Sequence, residues 1–347
     1  MKNYKKVYAA FILAGGLILH GCNGIFDDLA INPNQPSMGA YFTSPSAVND
    51  AVMTMYGYMS TQRCLGASGS KTTIIRSDEA SSNSDYGKPG MFGADLNASY
   101  YTIEQPYTLM YTTAYIIETA PSVDFSGNEE LRNAYMGEAY FWRAFAHYYL
   151  LINFRNISPI RQMPRNGDDY VRPLEKPAAV WDFIQEDLAH AKELLPVKGY
   201  WDSKNAGRVT KASAAALLGK AYLYRSGIEQ YYGEDKTTFY SEAAKEFGDV
   251  IDGKYGTYDL TKNYADNFDV AHENNEESIL EFQFLGDVDN AGFNPGLATS
   301  GLAFDSRGLM LPGAGVGYEG VVHNWLYNAF VNSVDKDGYT DIRMFST

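Results

Sequence analysis

The sequence predicts a mainly α-helical protein, in which a tetratricopeptide-like helical repeat scaffold carries long irregular loops and a few short strands. The longest uninterrupted helical pattern is Glu129–Phe154, where apolar residues recur at intervals of three and four. Residues 136–140 (MGEAY) match the L-G-x2-Y core of a first repeat helix with one conservative swap, and residues 218–222 (LGKAY) match it fully. The chain therefore contains an internal helical repeat.

Each repeat core is followed by a second helical pattern with the residues expected of its partner helix. Ala243 and Phe247 supply an A-x3-F pattern, and Ala191 and Pro196 occupy the corresponding alanine and proline positions after a long insertion. Gly137 costs about 1 kcal/mol relative to alanine in a helix interior, so we expect a partner helix to approach closely there. Two helix pairs, with one further helix stacked on them, predict a right-handed scaffold.

The remaining elements follow from apolar spacing and from residues that start or stop helices. Thr210 is expected to cap one of the helices. A half-buried strand is predicted at 278–284, because Leu280, Phe282 and Phe284 alternate with polar residues. The predicted helices span residues 44–62, 104–123, 129–154, 178–195, 210–227, 239–251 and 324–331.

The beginning of the chain has the order of a bacterial lipoprotein signal. Three lysines precede an apolar stretch, residues 7–19, that is too short to span a bilayer. Residues 19–22 (LHGC) then resemble a lipobox, where the signal is cut before the cysteine and the thiol is lipidated. We expect a signal peptide at 1–21 and a lipidated tether at 22–43, with Cys22 holding the protein on a membrane. An ordinary secretory signal with an incidental cysteine is the alternative.

Composition and charge limit the function of the remaining chain, which we expect to form one domain at 44–347. Removing the signal peptide leaves 25 basic and 42 acidic residues, a balance of −17 that disfavours nucleic-acid binding. With Cys22 acylated, Cys64 cannot form an internal disulfide and is expected to be a buried thiol. Neither a cofactor nor a metal site is expected. The repeat helices occupy about 104–252, and loop-rich ligand-binding parts occupy about 63–101 and 255–347.

Five short motifs in order along the chain resemble those of the SusD/RagB family of outer-membrane lipoproteins. They are residues 137–151 (GEAYFWRAFAHYYLL), 181–188 (WDFIQEDL), 207–214 (GRVTKASA), 276–280 (EESIL) and 341–343 (DIR). The resemblance implies a surface-exposed, lipid-anchored protein of the outer membrane. It also implies a glycan-binding subunit that works as a lid with a SusC-like TonB-dependent transporter and has no catalytic chemistry of its own. Family members continue well beyond the last motif, so we expect further chain after Thr347.

A candidate glycan site is predicted on two loop segments. A sugar ring has apolar C–H faces and a hydroxyl rim, so aromatic side chains beside amides and carboxylates suit it. Tyrosine is abundant, at 28 of 347 residues. The loop at 77–99 and its end supply Asn83, Asp85, Tyr86, Phe92, Asn97, Tyr100 and Tyr101. A later glycine-rich stretch supplies Phe293, Asn294 and Tyr318. The alternative is that these loop aromatics pack against the scaffold.

Other chemistry is less well supported by the sequence. Glycoside hydrolysis needs two carboxylates at a set separation, and adjacent acids occur at Asp78/Glu79, Asp168/Asp169 and Glu276/Glu277. A surface hydrolase and a peptide-binding member of the same family therefore remain alternatives. Residues 315–320 spell G-x-G-x-x-G but lack a surrounding βαβ unit. Residues 335–341 have acids at calcium-loop spacing without the expected glycine and closing glutamate, which favours a turn.

Overall fold

The computed structural model describes residues 42–59, 64–65, 77–78, 80–81, 103–165, 167–233, 238–283, 321–334, 336 and 338–339. These residues form seven α-helices and one two-stranded antiparallel sheet, which confirms the mainly α-helical fold. The helices are α1 (Pro45–Met59), α2 (Glu104–Thr119), α3 (Glu129–Phe154), α4 (Pro177–Leu194), α5 (Lys211–Tyr232), α6 (Tyr240–Ile251) and α7 (Asn324–Asn332). The strands are β1 (Ala80–Ser81) and β2 (Val321–Val322).

Helix α3 is the centre of the scaffold, as its long apolar pattern predicts. It packs against α2 on one side and α4 on the other, and α1 contacts both α2 and α3. The stacking continues from α4 to α5 and from α5 to α6. Trp142 and Phe141 of α3 and Trp181 of α4 are fully buried in the shared core. The two helix pairs, α3–α4 and α5–α6, with α2 stacked on the first, are the predicted arrangement.

The glycines of the two repeat cores have the same packing role. A Cβ atom at Gly137 would lie 2.9 Å from the backbone nitrogen of Leu195, which directly follows α4. A Cβ atom at Gly219 would lie 2.8 Å from Cε1 of Phe247 on α6. In each pair the second helix approaches the first where no side chain is present. The close approach expected at Gly137 is therefore confirmed.

The helix boundaries follow local capping chemistry. Thr210 caps α5 as predicted, in a capping box in which its backbone N–H donates to Ser213 Oγ at 3.1 Å. Helix α5 runs beyond the predicted end to Tyr232 and stops at Gly233, whose φ of +69° is in the left-handed region that favours glycine. Helix α2 tightens into a 3-10 turn at Ala120–Ser122. None of the described helices combines the length and apolarity that a membrane crossing needs.

The strand predicted at 278–284 is wrong for its described part, residues 278–283. That segment has no β-ladder, although Leu280 and Phe282 do pack against the core as the alternation suggested. Its backbone is held by a side chain instead, because Ser213 Oγ donates to the carbonyl of Ile279 at 2.9 Å. An alternating pattern indicates which side chains are buried. A strand also needs backbone hydrogen bonds to a neighbouring strand, and none of the described residues forms such a strand beside this segment.

Candidate functional site

The small sheet joins two distant parts of the chain. Ala80 pairs with Val322 and Ser81 pairs with Val321 in antiparallel register. A side chain reinforces the pairing, because the indole N–H of Trp325 donates to the carbonyl of Asp78 at 2.6 Å, across 247 positions of sequence. The sheet therefore holds the start of the first predicted loop segment beside the end of the second.

The predicted ligand residues all lie outside the described residues. They are Asn83, Asp85, Tyr86, Phe92, Asn97, Tyr100 and Tyr101 in the first segment, and Phe293, Asn294 and Tyr318 in the second. Cys22, the glycine motif at 315–320 and the acids of the possible calcium loop also lie outside. Along the chain, Asn83 follows β1 by two positions and Tyr318 precedes β2 by three. The sheet is the described structure nearest in sequence to Asn83, Asp85, Tyr86 and Tyr318, whereas Asn97, Tyr100 and Tyr101 lie nearer to the start of α2 and Phe293 and Asn294 lie nearer to Gln283.

Helix α7 adds aromatic surface beside the sheet. Trp325 is 50% exposed and Tyr327 is 55% exposed, and no residue of α7 is buried. Because the Trp325 ring is fixed through its N–H, it is a positioned aromatic surface rather than a freely rotating one. The sequence reasoning predicted this helix but did not single out these two residues. A tryptophan and a tyrosine two positions apart in a short helix were the available signal.

Two of the short family-like motifs meet in a buried ionic network at the centre of the scaffold. Arg208, which precedes α5, donates to both carboxylate oxygens of Glu138 on α3, with its shortest contact at 2.6 Å. The hydroxyl of Tyr56 on α1 also donates to Glu138 at 2.6 Å, and it accepts the backbone N–H of Val209 at 2.9 Å. Burial raises the pKa of the Glu138 carboxyl, against the opposing effects of Arg208 and Tyr56. The network fixes α1, α3 and the segment before α5 relative to one another.

A second buried pair joins α3 to α4. Arg143 donates to both carboxylate oxygens of Asp187 at 2.7 Å and to the carbonyl of Arg161 at 2.8 Å. One turn along α3, His147 Nδ1 lies 2.7 Å from the carbonyl of Arg143, and Nε2 lies 3.1 Å from the backbone nitrogen of Ile160. Because Nε2 must accept from that backbone N–H, Nδ1 carries the proton. Burial lowers the pKa of His147 to about 3, so the ring is neutral.

These contacts explain what the motif residues do. Glu138 and Arg143 belong to the motif at 137–151, Asp187 to that at 181–188 and Arg208 to that at 207–214. Each is a partner in a buried salt bridge between elements of the scaffold. The motifs therefore specify the scaffold that supports a site, and the residues of the site have to be sought elsewhere.

Two of the acids considered for hydrolysis, Glu277 and Asp169, accept hydrogen bonds from nearby residues of the chain. Glu277 accepts from the backbone N–H and hydroxyl of Thr261 and from the Asn267 amide, and the Asn267 hydrogen bond is the largest cause of its lowered pKa. Asp169 accepts the backbone N–H of Arg165 at 2.7 Å. Across the described ranges, no group of three or more histidine, cysteine or acidic side chains is placed to hold a metal ion.

Two neighbouring cavities among the described residues share Ala206, Gly207, Arg208 and Glu281 in their linings. The larger, of about 400 Å3, lies between α1 and the segment before α5 and is lined by Met53 and Phe282 among others. The smaller, of about 220 Å3, is lined by Trp201 and Tyr258 together with polar side chains. Gly207 has a φ of +80°, and a Cβ atom built on it would lie 2.8 Å from the carbonyl oxygen of Glu281.

Comparisons with known proteins agree with this fold. A SusD-like family model, described as starch-binding and associating with the outer membrane, matches residues 32–223, more than half of the chain. A SusD-like protein of Bacteroides ovatus is 26% identical over 293 residues, which cover 82% of this chain and 51% of that protein. The chain thus spans about half the length of this curated relative.

Two solved structures share the fold. A SusD superfamily protein of Bacteroides vulgatus aligns with a TM-score of 0.69 at 24% identity, covering 87% of this chain and 61% of that one. A laminarin-binding SusD-like protein aligns with a TM-score of 0.67 at 21% identity, covering 88% of this chain and 66% of that one.

Proposed function

The chain belongs to the SusD-like family of starch-binding proteins that associate with the outer membrane, and we propose that it captures glycans at the cell surface. Its ligand site is built from the two loop segments that meet at β1–β2. It binds oligosaccharide or polysaccharide without cleaving it, and passes it to a TonB-dependent transporter of the SusC type. Cys22 anchors it to the outer membrane through a lipid.

The observation that carries this proposal is the pairing of β1 with β2. The two segments that the sequence offers as sources of aromatic and amide side chains are far apart along the chain, and the pairing brings their bases together. The hydrogen bond from Trp325 to the Asp78 carbonyl secures the same junction. A site that binds a sugar ring needs aromatic faces and polar groups held close together, and the pairing of the two segments' bases supports such a placement.

The aromatic surface of α7 extends the same site. Trp325 and Tyr327 are large, half-exposed and next to the sheet in sequence. Exposed aromatic side chains with a polar group suit ligands that have apolar faces and a hydroxyl rim. We therefore include both residues with Tyr86, Phe92 and Tyr318 in the proposed glycan platform.

The first experiment is affinity electrophoresis of the purified protein through gels that contain different polysaccharides, with reducing ends assayed in parallel. The proposal expects retardation by at least one glycan without sugar release, weakened in Tyr86→Ala or Phe92→Ala. Tyr231→Ala is the matched control, because Tyr231 is an 84% exposed tyrosine on α5. Sugar release would instead indicate a hydrolase, and binding of peptides with no glycan retarded would indicate the peptide-binding alternative.

The anchor and the transporter are tested separately. A Cys22→Ser variant expressed in the native host should leave the outer-membrane fraction, because no acyl chain can then be attached to that thiol. Cross-linking on intact cells, followed by mass spectrometry, should identify a TonB-dependent transporter with the wild-type protein. Unchanged membrane association of Cys22→Ser would contradict the lipid anchor, and recovery of no such transporter would contradict the partnership.

A further inference from the structure

The smaller cavity has a lining unlike that of an ordinary packing gap. Its polar and aromatic wall is formed by Lys198, Trp201, Asn205, Tyr258, Asn274 and Glu281. These residues come from three separate stretches of chain, none of them in an α-helix. Its volume of about 220 Å3 is below the roughly 300–1,000 Å3 of typical small-molecule sites, which suits one ring of a larger ligand.

Lys198 is held at its backbone, at its Cβ and at its ammonium group. Its backbone N–H donates to the carbonyl of Tyr255 at 3.0 Å. Its Cβ packs closely against Gly256, since a Cβ atom built on Gly256 would lie 2.5 Å from the Cβ of Lys198. Its ammonium group lies 3.9 Å from the centre of the Tyr258 ring. The lysine therefore presents a fixed positive group to the cavity.

Glu281 is fixed in the same way on the other wall. Its Oε2 accepts the backbone N–H of Asn274 at 2.9 Å and the hydroxyl of Ser278 at 2.8 Å. The Asn274 amide is in turn paired with the amide of Gln283 through two hydrogen bonds, of 2.9 and 3.1 Å. The wall is thus rigid without a ligand, which lowers the entropic cost of binding one.

Hydrogen-bonding capacity is left over on both walls. An ammonium has three donors, and within the described part of the chain no carboxylate oxygen comes within 4.0 Å of Lys198 Nζ. Oε1 of Glu281 accepts no hydrogen bond from the described residues, because both of its bonds are to Oε2. Burial lowers the pKa of Lys198, while the more distant Glu276 acts in the opposite direction.

The charges that line the cavity select against an ionic ligand. Arg208 is already neutralised by Glu138, and among the remaining lining residues the positive charge of Lys198 is matched by the negative charge of Glu281. An anion would face the carboxylate of Glu281, and a cation would face the ammonium of Lys198. A hydroxyl group can both donate and accept, so neighbouring hydroxyls on one neutral ring can satisfy Lys198 and Glu281 together.

We propose that this cavity is a second carbohydrate subsite, in which Lys198 and Glu281 bind the hydroxyls of one neutral sugar ring. Trp201 and Tyr258 supply apolar edges for its C–H groups. The subsite rests on the proposed glycan function but not on the loop site at β1–β2. It would hold one end of a long glycan on the scaffold while the loops hold another, so that the two contacts together strengthen retention.

The test uses maltotriose and laminaritriose as probes, titrated into the full-length protein with detection by saturation-transfer NMR. A Tyr86→Ala/Phe92→Ala double variant removes the platform on the first loop. In that background Lys198→Met keeps the aliphatic stem that packs on Gly256 but removes the charge, and Glu281→Gln keeps a carbonyl acceptor for Asn274 and Ser278. Lys262→Met, at an exposed lysine outside the cavity, is the matched control. Thermal unfolding confirms that each variant is folded.

The loop variant should retain weak binding of at least one trisaccharide. Lys198→Met and Glu281→Gln should each weaken this binding roughly tenfold or more, as expected for loss of a charge-assisted hydrogen bond, whereas Lys262→Met should not. The subsite is overturned if the loop variant binds neither sugar although the wild type does, or if the cavity variants bind as well as their background. Lysine-dependent binding of free glycine, a zwitterion, in preference to sugar would also overturn it. If the wild type binds neither trisaccharide and no polysaccharide retards it in electrophoresis, the proposed function itself fails.

Discussion

Arg208 Nη2 lies 2.6 Å from Glu138 Oε1 across 70 positions of sequence, and both side chains are almost completely withdrawn from solvent. Each charge depends on the other, since a buried charge that loses its partner remains desolvated without compensation. Arg208 also stacks over Trp201 at 4.1 Å, and Glu138 accepts from Tyr56. This pair is the junction at which α1, α3 and the segment before α5 are held together.

Removing one partner of this pair should destabilise the protein strongly. We expect Glu138→Ala to lower the free energy of unfolding by about 3–5 kcal/mol, measured by chemical denaturation. The matched control is Glu175→Ala, which breaks the ion pair of Arg161 and Glu175 at the surface, where a loss of at most about 1 kcal/mol is expected. Equal effects of the two substitutions would contradict the role assigned to the buried pair.

The neutral state of His147 predicts a specific dependence of stability on pH. The unfolded chain takes up this proton near pH 6.5, whereas the folded chain does so only near pH 3. The stability contributed by His147 is therefore complete above about pH 6.5 and is lost as pH falls toward 3, by about 1.4 kcal/mol per pH unit.

The measurement is the difference in unfolding free energy between the wild type and His147→Gln at several pH values. Buried carboxyls such as Glu138 have raised pKa values and act in the opposite sense, so the difference and not the absolute curve is informative. His190→Gln, at a half-exposed histidine, is the matched control for the loss of an imidazole outside the core. A pH-independent difference for His147→Gln would show that the ring is not held neutral.

Replacing a helix glycine with alanine should have opposite effects at the repeat glycines and at Gly227. Gly137→Ala should destabilise by roughly 1–3 kcal/mol, because the new methyl group meets the backbone of Leu195. Gly219→Ala should cost less, since the Phe247 ring can rotate away. Gly227→Ala on α5 meets nothing within 4 Å, so it should stabilise by up to about 1 kcal/mol through helix propensity. Thermal unfolding would give the order, and a stabilising Gly137→Ala would contradict the close approach.

The aromatic surface of α7 predicts that substitution of Trp325 alone weakens glycan binding. Trp325→Ala should weaken glycan binding roughly twofold to tenfold, and Trp325→Phe should retain more of it, because a ring face remains while the hydrogen bond to Asp78 is lost. Calorimetric titration with the glycan that retards the wild type gives the affinities. Identical affinities of Trp325→Ala and wild type would remove α7 from the proposed platform.

The sequence predicted the scaffold because apolar spacing and capping are local signals. The limits of α3 are those that its pattern indicates, and Thr210 caps α5 as expected. The pairing of Glu138 with Arg208 could not be foreseen, since partners 70 positions apart leave no local pattern. The alternation correctly indicated that Leu280 and Phe282 pack against the core, but the strand predicted from the same alternation is wrong for the described residues.

The candidate site was less accessible to sequence reasoning for a related reason. Tyr86 and Phe92 were chosen by residue type and loop position, and their place in a site stays a prediction. The register of β1 with β2 could not be predicted from any local pattern, because it is a contact between distant segments. Trp325 was missed because an aromatic residue in a short helix usually packs inward, whereas this helix has no buried residue.

The β1–β2 pairing has a thermodynamic consequence. It closes the chain from Ser81 to Val321 into a loop, and such a long-range contact is expected to form late in folding. Lengthening such a loop adds little to the entropic cost of closing it, but a sheet of only four paired residues contributes little stability of its own. A glycan that contacts both segments would stabilise the same pairing. Its binding free energy would then add to the free energy of unfolding of the whole protein. If the proposed glycan binds across both segments, ligand binding should therefore raise the thermal unfolding temperature of the whole protein.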